Sequence, residues 1–156
     1  MSDMPADLLT DRTAALDEIA AHLVPRASQL TRLLLSRGSR PLTRAEGGLL
    51  STLSAGPRRI TELAATEVLA QPTVTQLVDR LQKRGLVQRD RDASDGRVVL
   101  VSITDAGRAT LEQLRDEYRA QLRTAAADLP DDELAALLRA TEALQHLIDA
   151  VQETRP

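Results

Sequence analysis

Gln71, Thr73, Thr75 and Gln76 set two amides and two hydroxyls within six residues, with Pro72 among them, and Arg80 and Arg84 follow at a four-residue step. A glutamine amide carries a donor and an acceptor side by side, which matches the major-groove edge of adenine, and a threonine methyl can pack on the methyl of thymine. A guanidinium is a planar fork of donors that fits a phosphate with two hydrogen bonds. Arg91 and Ser94 lie in a second polar stretch, Asp90 to Gly96, and Arg97 follows it directly. Each of these side chains has a plain alternative. The Thr and Gln positions can be ordinary solvated helix residues, and Pro72 can be purely structural. Arg80 and Arg84 can pair with Asp79 or Glu62, and Arg97 can pin its own loop through Asp92 or Asp95.

No catalytic constellation accompanies them. The chain has no cysteine, which excludes disulfides and thiolate metal sites. It has no Gly-rich phosphate loop, and its two histidines, His22 and His146, stand in no nucleophile motif. The expectation is a protein that is not an enzyme, with no cofactor and no metal. The histidines are expected to be solvated or hydrogen-bonded. Tyr118 is the single aromatic residue, so stacking on unpaired bases is not expected.

The surrounding pattern must position these groups. Ile60-Thr-Glu-Leu-Ala reads as a short helix, with Thr61 as a plausible cap. After a turn, Gln71 to about Arg84 carries Val74, Leu77, Val78 and Leu81 at helical spacing, stopped by Gly85. Pro72 suits the first turn of that helix, where no amide bond is lost. Leu86 to Arg89 and the β-branched run Arg97 to Ile103 read as paired strands around the Asp90–Gly96 loop. A short helix, a turn, a second helix and a two-stranded ribbon make a helix-turn-helix with a wing. Such a second helix fits the major groove of duplex DNA, and the ribbon reaches the neighbouring backbone or minor groove. Arg58 and Arg59 precede the unit, where a short third strand can pair.

Long helices flank the unit. Leu16, Ile19, Leu23, Ala27, Leu30 and Leu34 form one apolar stripe, in which Pro25 should kink or split the helix. Thr43-Arg-Ala-Glu46 is a capping box opening a helix with Leu49, Leu50 and Leu53. Thr104 caps a helix carrying Leu111, Leu114, Tyr118 and Leu122, and after Leu129-Pro130 a last helix carries leucines from Leu134 to Leu147. That is more leucine than one small lobe should leave exposed, so a second copy of the chain is the expected partner. The expected fold class is mainly α with a small antiparallel β-wing. Its segments are an arm at 1–9, a dimerisation helix at 10–38, the winged lobe at 42–103, dimerisation helices at 104–151 and a tail at 152–156.

Length and composition agree. A chain of 156 residues suits one domain or two lobes sharing a core. No run of 18 apolar residues occurs, so no membrane span is expected, and the N-terminus lacks a secretory pattern, so the cytoplasm is the expected location. The net charge of −3 conceals a local excess: residues 56–101 hold eight Lys/Arg and six Asp/Glu, or +2, leaving −5 elsewhere.

Taken together, the residues resemble the MarR family of bacterial transcription regulators over roughly 10–151. The matching segments are Leu-Thr-Arg-Ala-Glu at 42–46, Ile-Thr-Glu-Leu-Ala at 60–64, Gln-Pro-Thr-Val-Thr at 71–75, Leu-Val-Asp-Arg-Leu at 77–81 and Arg-Gly-Leu-Val at 84–87. Asp-Gly-Arg and Val-Ser-Ile-Thr-Asp-Ala-Gly-Arg follow within 95–108. The resemblance implies a homodimer with interlocked terminal helices, whose two lobes bind double-stranded DNA at a pseudo-palindrome. It implies regulation of transcription, more often repression. In many such regulators a small-molecule effector, often aromatic or anionic, releases the DNA; the sequence does not identify effector-binding residues here.

Four positions depart from the family pattern. Val68 stands where a turn glycine is usual, Ala70 where the helix cap is Ser or Thr, and Gln76 where arginine is frequent. In the wing pattern Asp-x-Arg-Asp-x-Arg, Asp92, Asp95 and Arg97 match while Ser94 replaces the first arginine. Losing the cap hydroxyl costs about 1 kcal/mol. These departures bear on base preference more than on DNA binding. A winged-helix protein–protein interaction module is the remaining alternative, against which the clustered arginines argue.

Overall fold

The computed structural model describes residues 12–36, 42–91 and 98–154. Its elements are α1 (Arg12–Ser36), α2 (Arg44–Ser54), α3 (Ile60–Glu67), α4 (Gln71–Lys83), β1 (Val87–Arg91), β2 (Val99–Ile103), α5 (Asp105–Ala126) and α6 (Asp131–Glu153). The expected class, mainly α with a small antiparallel wing, is what the chain adopts. The chain packs as two units, divided between Leu114 and Arg115.

The core of the first unit is aliphatic. Leu49, Leu50 and Leu53 of α2, Leu63 of α3, Val74, Val78 and Leu81 of α4, Val87 of β1 and Val101 of β2 are all fully buried. Each such side chain contributes about 1.5–3 kcal/mol of burial. With no Phe or Trp to fill gaps, the three helices and the ribbon close on small branched residues.

Local chemistry sets the helix ends. The α2 capping box forms as expected: the Thr43 hydroxyl accepts from the Glu46 amide at 3.3 Å, and the Glu46 Oε2 accepts from the Thr43 amide at 2.8 Å. The α3 cap is Arg59, not Thr61, because the Glu62 carboxylate takes the Arg59 amide at 3.0 Å and starts the helix two residues earlier. Between α3 and α4, Val68 adopts φ 55° and ψ 45°, the left-handed region. A β-branched residue there is strained.

The end of α4 is closed by a paired turn. Gly85, at φ 71°, donates to the Gln82 carbonyl at 2.9 Å, and Leu86 donates to the Leu81 carbonyl at 2.9 Å. Leu81 and Leu86 are both buried, which supplies the apolar contact that accompanies this motif. The chain then enters β1, whose pairing runs from Val87 opposite Ile103 to Arg91 opposite Val99. β1 therefore extends two residues beyond the expected Arg89, into the segment read as loop. Arg58 adds the expected third-strand contact as a single bridge to Val101, with reciprocal amide bonds of 3.0 and 2.8 Å.

α5 is stitched to the end of α4. The Thr104 hydroxyl donates to the Gly85 carbonyl at 2.7 Å and accepts from the Gly107 amide at 3.1 Å. Gly107 is buried against Leu86, and a Cβ at this position would meet the Leu86 carbonyl oxygen at 2.1 Å. Only glycine allows that approach.

α1 is one helix of 25 residues with Pro25 inside it, so of the expected kink or split the split does not occur. Proline removes a single amide bond, and the helix continues on both sides. Leu16, Ile19, Leu30 and Leu33 of α1 are exposed within the protomer. So are Leu122 of α5 and Leu134, Leu137, Leu138, Leu144, Leu147, Ile148 and Val151 of α6, a helix with no buried residue. Among the described residues no helix is long and apolar enough to cross a membrane.

Candidate nucleic-acid interface

α4 is turned by its own apolar stripe. Val74, Leu77, Val78 and Leu81 face the core, and at about 3.6 residues per turn the opposite face falls on Pro72, Gln76, Asp79 and Lys83. Thr73, Arg80 and Arg84 lie along one edge of that face, and Thr75 and Gln82 along the other. Gln71, Pro72, Thr73, Gln76, Arg80, Lys83 and Arg84 are exposed, while Thr75 is half-buried.

The structure thus brings most of the expected residues onto one helix surface, with differences. The Thr75 hydroxyl donates to the Gln71 carbonyl at 3.0 Å, so its polar atom serves the helix and its methyl remains. Ala70 caps α4 with no side-chain bond, as its methyl requires. Lys83 was not among the expected contact residues, yet it lies on the outward face. Arg91 ends β1 and is exposed. Ser94 and Arg97, together with Asp92 and Asp95, lie outside the described residues.

Both edges of α4 are held by charge. On one, Arg80 Nε lies 3.7 Å from Glu46 Oε1 and Arg84 Nη1 lies 3.5 Å from Glu46 Oε2. Glu46 is 5% exposed and is the one buried charged residue among those described, whereas Arg80 and Arg84 are 55% and 39% exposed. Toward the other edge, Arg89 of β1 donates to Gln82 Oε1 at 2.6 Å and lies 2.7 Å from Oδ1 of Asp79 on the outward face. The salt-bridge alternative for Arg80 and Arg84 offered Asp79 and Glu62 as partners. Asp79 turns instead to Arg89, and Glu62 caps α3. The signal for Glu46 was legible as a capping box, but its reach to α4 depends on how α2 crosses the core.

Below the wing, Asp90 Oδ2 accepts from Gln88 Nε2 at 2.9 Å and from the Ser102 hydroxyl at 3.1 Å, tying the two strands. The Arg58 guanidinium donates to the Pro57 carbonyl at 3.1 Å, and Arg59 is exposed beside it. The remaining titratable candidates lie elsewhere: His22 is 3.2 Å from Glu18 on α1, and His146 is on exposed α6. Tyr118 is half-buried on α5. Among the described residues no group of three or more His, Asp or Glu could hold a metal ion.

The arrangement offers a cationic, amide-bearing helix face with rigid edges. A face of this kind can lie against base edges and a phosphate backbone.

Comparison with known proteins agrees with this geometry. The sequence model of the MarR family matches residues 42–99. The chain is 32% identical to the HTH-type transcriptional regulator YsmB of Bacillus subtilis over 64% of its own length and 68% of that protein. It is 26% identical to the HTH-type transcriptional repressor IacR of Pseudomonas putida over 62% of its length, spanning 58% of that relative. Among solved structures, the PcaV transcriptional regulator of Streptomyces coelicolor, in complex with its natural ligand, superposes with a TM-score of 0.57 at 27% identity. That match covers 85% of this chain and 96% of PcaV.

Proposed function

From the chain's membership of the MarR family of transcriptional regulators, we propose that it binds duplex DNA as a homodimer and represses transcription from a pseudo-palindromic operator. The observation that carries this reading is the outward face of α4. Its amides, methyls and cations sit on a helix whose other side is locked in the core. α4 lies in the major groove. Gln71, Pro72, Thr73, the Thr75 methyl and Gln76 approach base edges, and Arg80, Lys83 and Arg84 approach phosphates. The wing, with Arg91, Ser94 and Arg97, reaches the adjacent backbone or minor groove. Two lobes read half-sites about 10 base pairs apart.

The second copy packs on the apolar stripes of α1 and α6 and on Leu122 of α5, which a lone protomer leaves exposed. Segments 10–38 and 104–151 are the dimerisation region, and 42–103 is the DNA-binding lobe. The repressor role is supported by the similarity to IacR, and release by a small molecule by the similarity to PcaV bound to its ligand. An effector acts by binding one spacing of the two lobes better than the other. The protein works in the cytoplasm, where its DNA is.

Selection of genomic fragments by the purified protein at near-physiological salt tests the reading. An enriched pseudo-palindrome is the expected result. Salt-sensitive binding without enrichment overturns specific readout, and no binding at all overturns the DNA role.

A further inference from the structure

We propose that Glu46, a residue of α2 and not of the helix-turn-helix itself, is the positioning residue that sets how strongly the recognition helix grips the phosphate backbone. The inference rests on the DNA-binding reading above. Glu46 is almost fully buried, and it is already engaged by the Thr43 amide at 2.8 Å. That bond fixes one carboxylate oxygen at the start of α2, so the group cannot swing away to follow the arginines. Arg80 and Arg84 come to it instead, at 3.7 and 3.5 Å, from the rim of α4 that borders its outward face.

Two consequences follow. First, the carboxylate subtracts one unit of charge from the arginine pair that would meet phosphate. Second, it holds the guanidinium stems along one edge of α4, where both side chains stay partly exposed. Contacts beyond 3.2 Å are looser than a direct hydrogen bond, so the attraction orients the guanidiniums while their donors can still turn outward. A pair held this way meets a backbone without first losing its freedom, at the expense of part of its charge. The buried anion thus tempers non-specific attraction and gives the arginines a direction.

The test is the salt dependence of binding to a mixed-sequence duplex long enough for both lobes, for the full-length wild type, E46Q, R84Q and the double variant. Glutamine keeps the capping box, since its oxygen still accepts from the Thr43 amide. The slope of log affinity against log salt should steepen by about two units in E46Q, because one more phosphate charge is neutralised in each of the two lobes. It should flatten by about two units in R84Q, one for each lobe, and return to the wild-type slope in the double variant. A merely structural Glu46 would lower the melting temperature without moving the slope. An E46Q slope equal to wild type therefore overturns the proposal. Should E46Q unfold, the R80Q and R84Q variants carry the test, because the proposal requires both to flatten the slope; a slope moved by neither overturns it. A wild type that binds no duplex at any salt overturns the DNA reading itself, which separates that failure from this one.

Discussion

Arg89 of β1 reaches across to Asp79 of α4 at 2.7 Å, and so ties the base of the wing to the recognition helix. The pair joins two elements that the proposed function sets against one duplex, and Arg89 also donates to Gln82. Arg89→Ala should cost about 1 kcal/mol, since Asp79 remains half-exposed and can rehydrate. Urea denaturation measures the stability. DNA affinity should fall further than that loss explains, because the wing would no longer be held against α4.

Val68 sits at φ 55° with 73% of its surface exposed, so its side chain contributes little packing to offset the strain. Val68→Gly should stabilise the lobe by about 1 kcal/mol, the left-handed penalty being partly offset by glycine's extra freedom in the unfolded chain. Thermal unfolding should shift upward by a few degrees. A lower melting temperature would show that the valine is making contacts of real weight.

Gly107→Ala should be among the most damaging single substitutions in the chain. Its methyl would press on the Leu86 carbonyl oxygen and on the Ile103 side chain, neither of which can yield without moving the wing or the end of α4. A loss of more than about 3 kcal/mol is expected, measured as early melting or as failure to accumulate folded protein. Gly48→Ala, which meets only the end of the Glu67 side chain, should be tolerated far better, although it shifts the carboxylate that accepts from the Thr52 hydroxyl at 2.6 Å.

Gln76→Ala should relax base discrimination by about 1–3 kcal/mol at one position of the operator half-site. Thr75→Ala should do less, because the Thr75 hydroxyl is already bonded to Gln71 within the helix. Competition between single-base variants of the enriched site measures both. Equal losses on every sequence would mean that these residues touch only the backbone.

Leu144 and Ile148 stand four apart on α6, each about 40% exposed within the protomer. Replacing both with glutamate should turn the proposed dimer into a monomer in sedimentation, with little effect on the stability of the winged lobe. DNA binding should weaken sharply, since one lobe makes half the contacts. A stable dimer of the variant would remove α6 from the interface.

The sequence by itself determined the elements and their order. Apolar spacing is a local property, so the stripes of α1, α2, α4 and α6, the Thr43–Glu46 box and the glycine that ends α4 were all readable before any packing was known. The resemblance of segments 42–46, 60–64 and 71–87 to one family was readable for the same reason: each is a short run of neighbours. Which charges meet was decided only in three dimensions. Glu46 and Arg84 are separated by two helices and a turn, and they come within 3.5 Å because α2 and α4 bury their leucines and valines in a common core. Asp79 is next to Arg80 in the sequence, yet helical geometry turns it about 100° away, toward β1, which supplies Arg89. The Thr61 cap and a split of α1 at Pro25 did not materialise, because competing bonds, from Glu62 in one case and from the rest of a long helix in the other, outweighed a single local preference. Periodicity fixes which side of a helix is wet; only the packing of that helix decides which partner waits there.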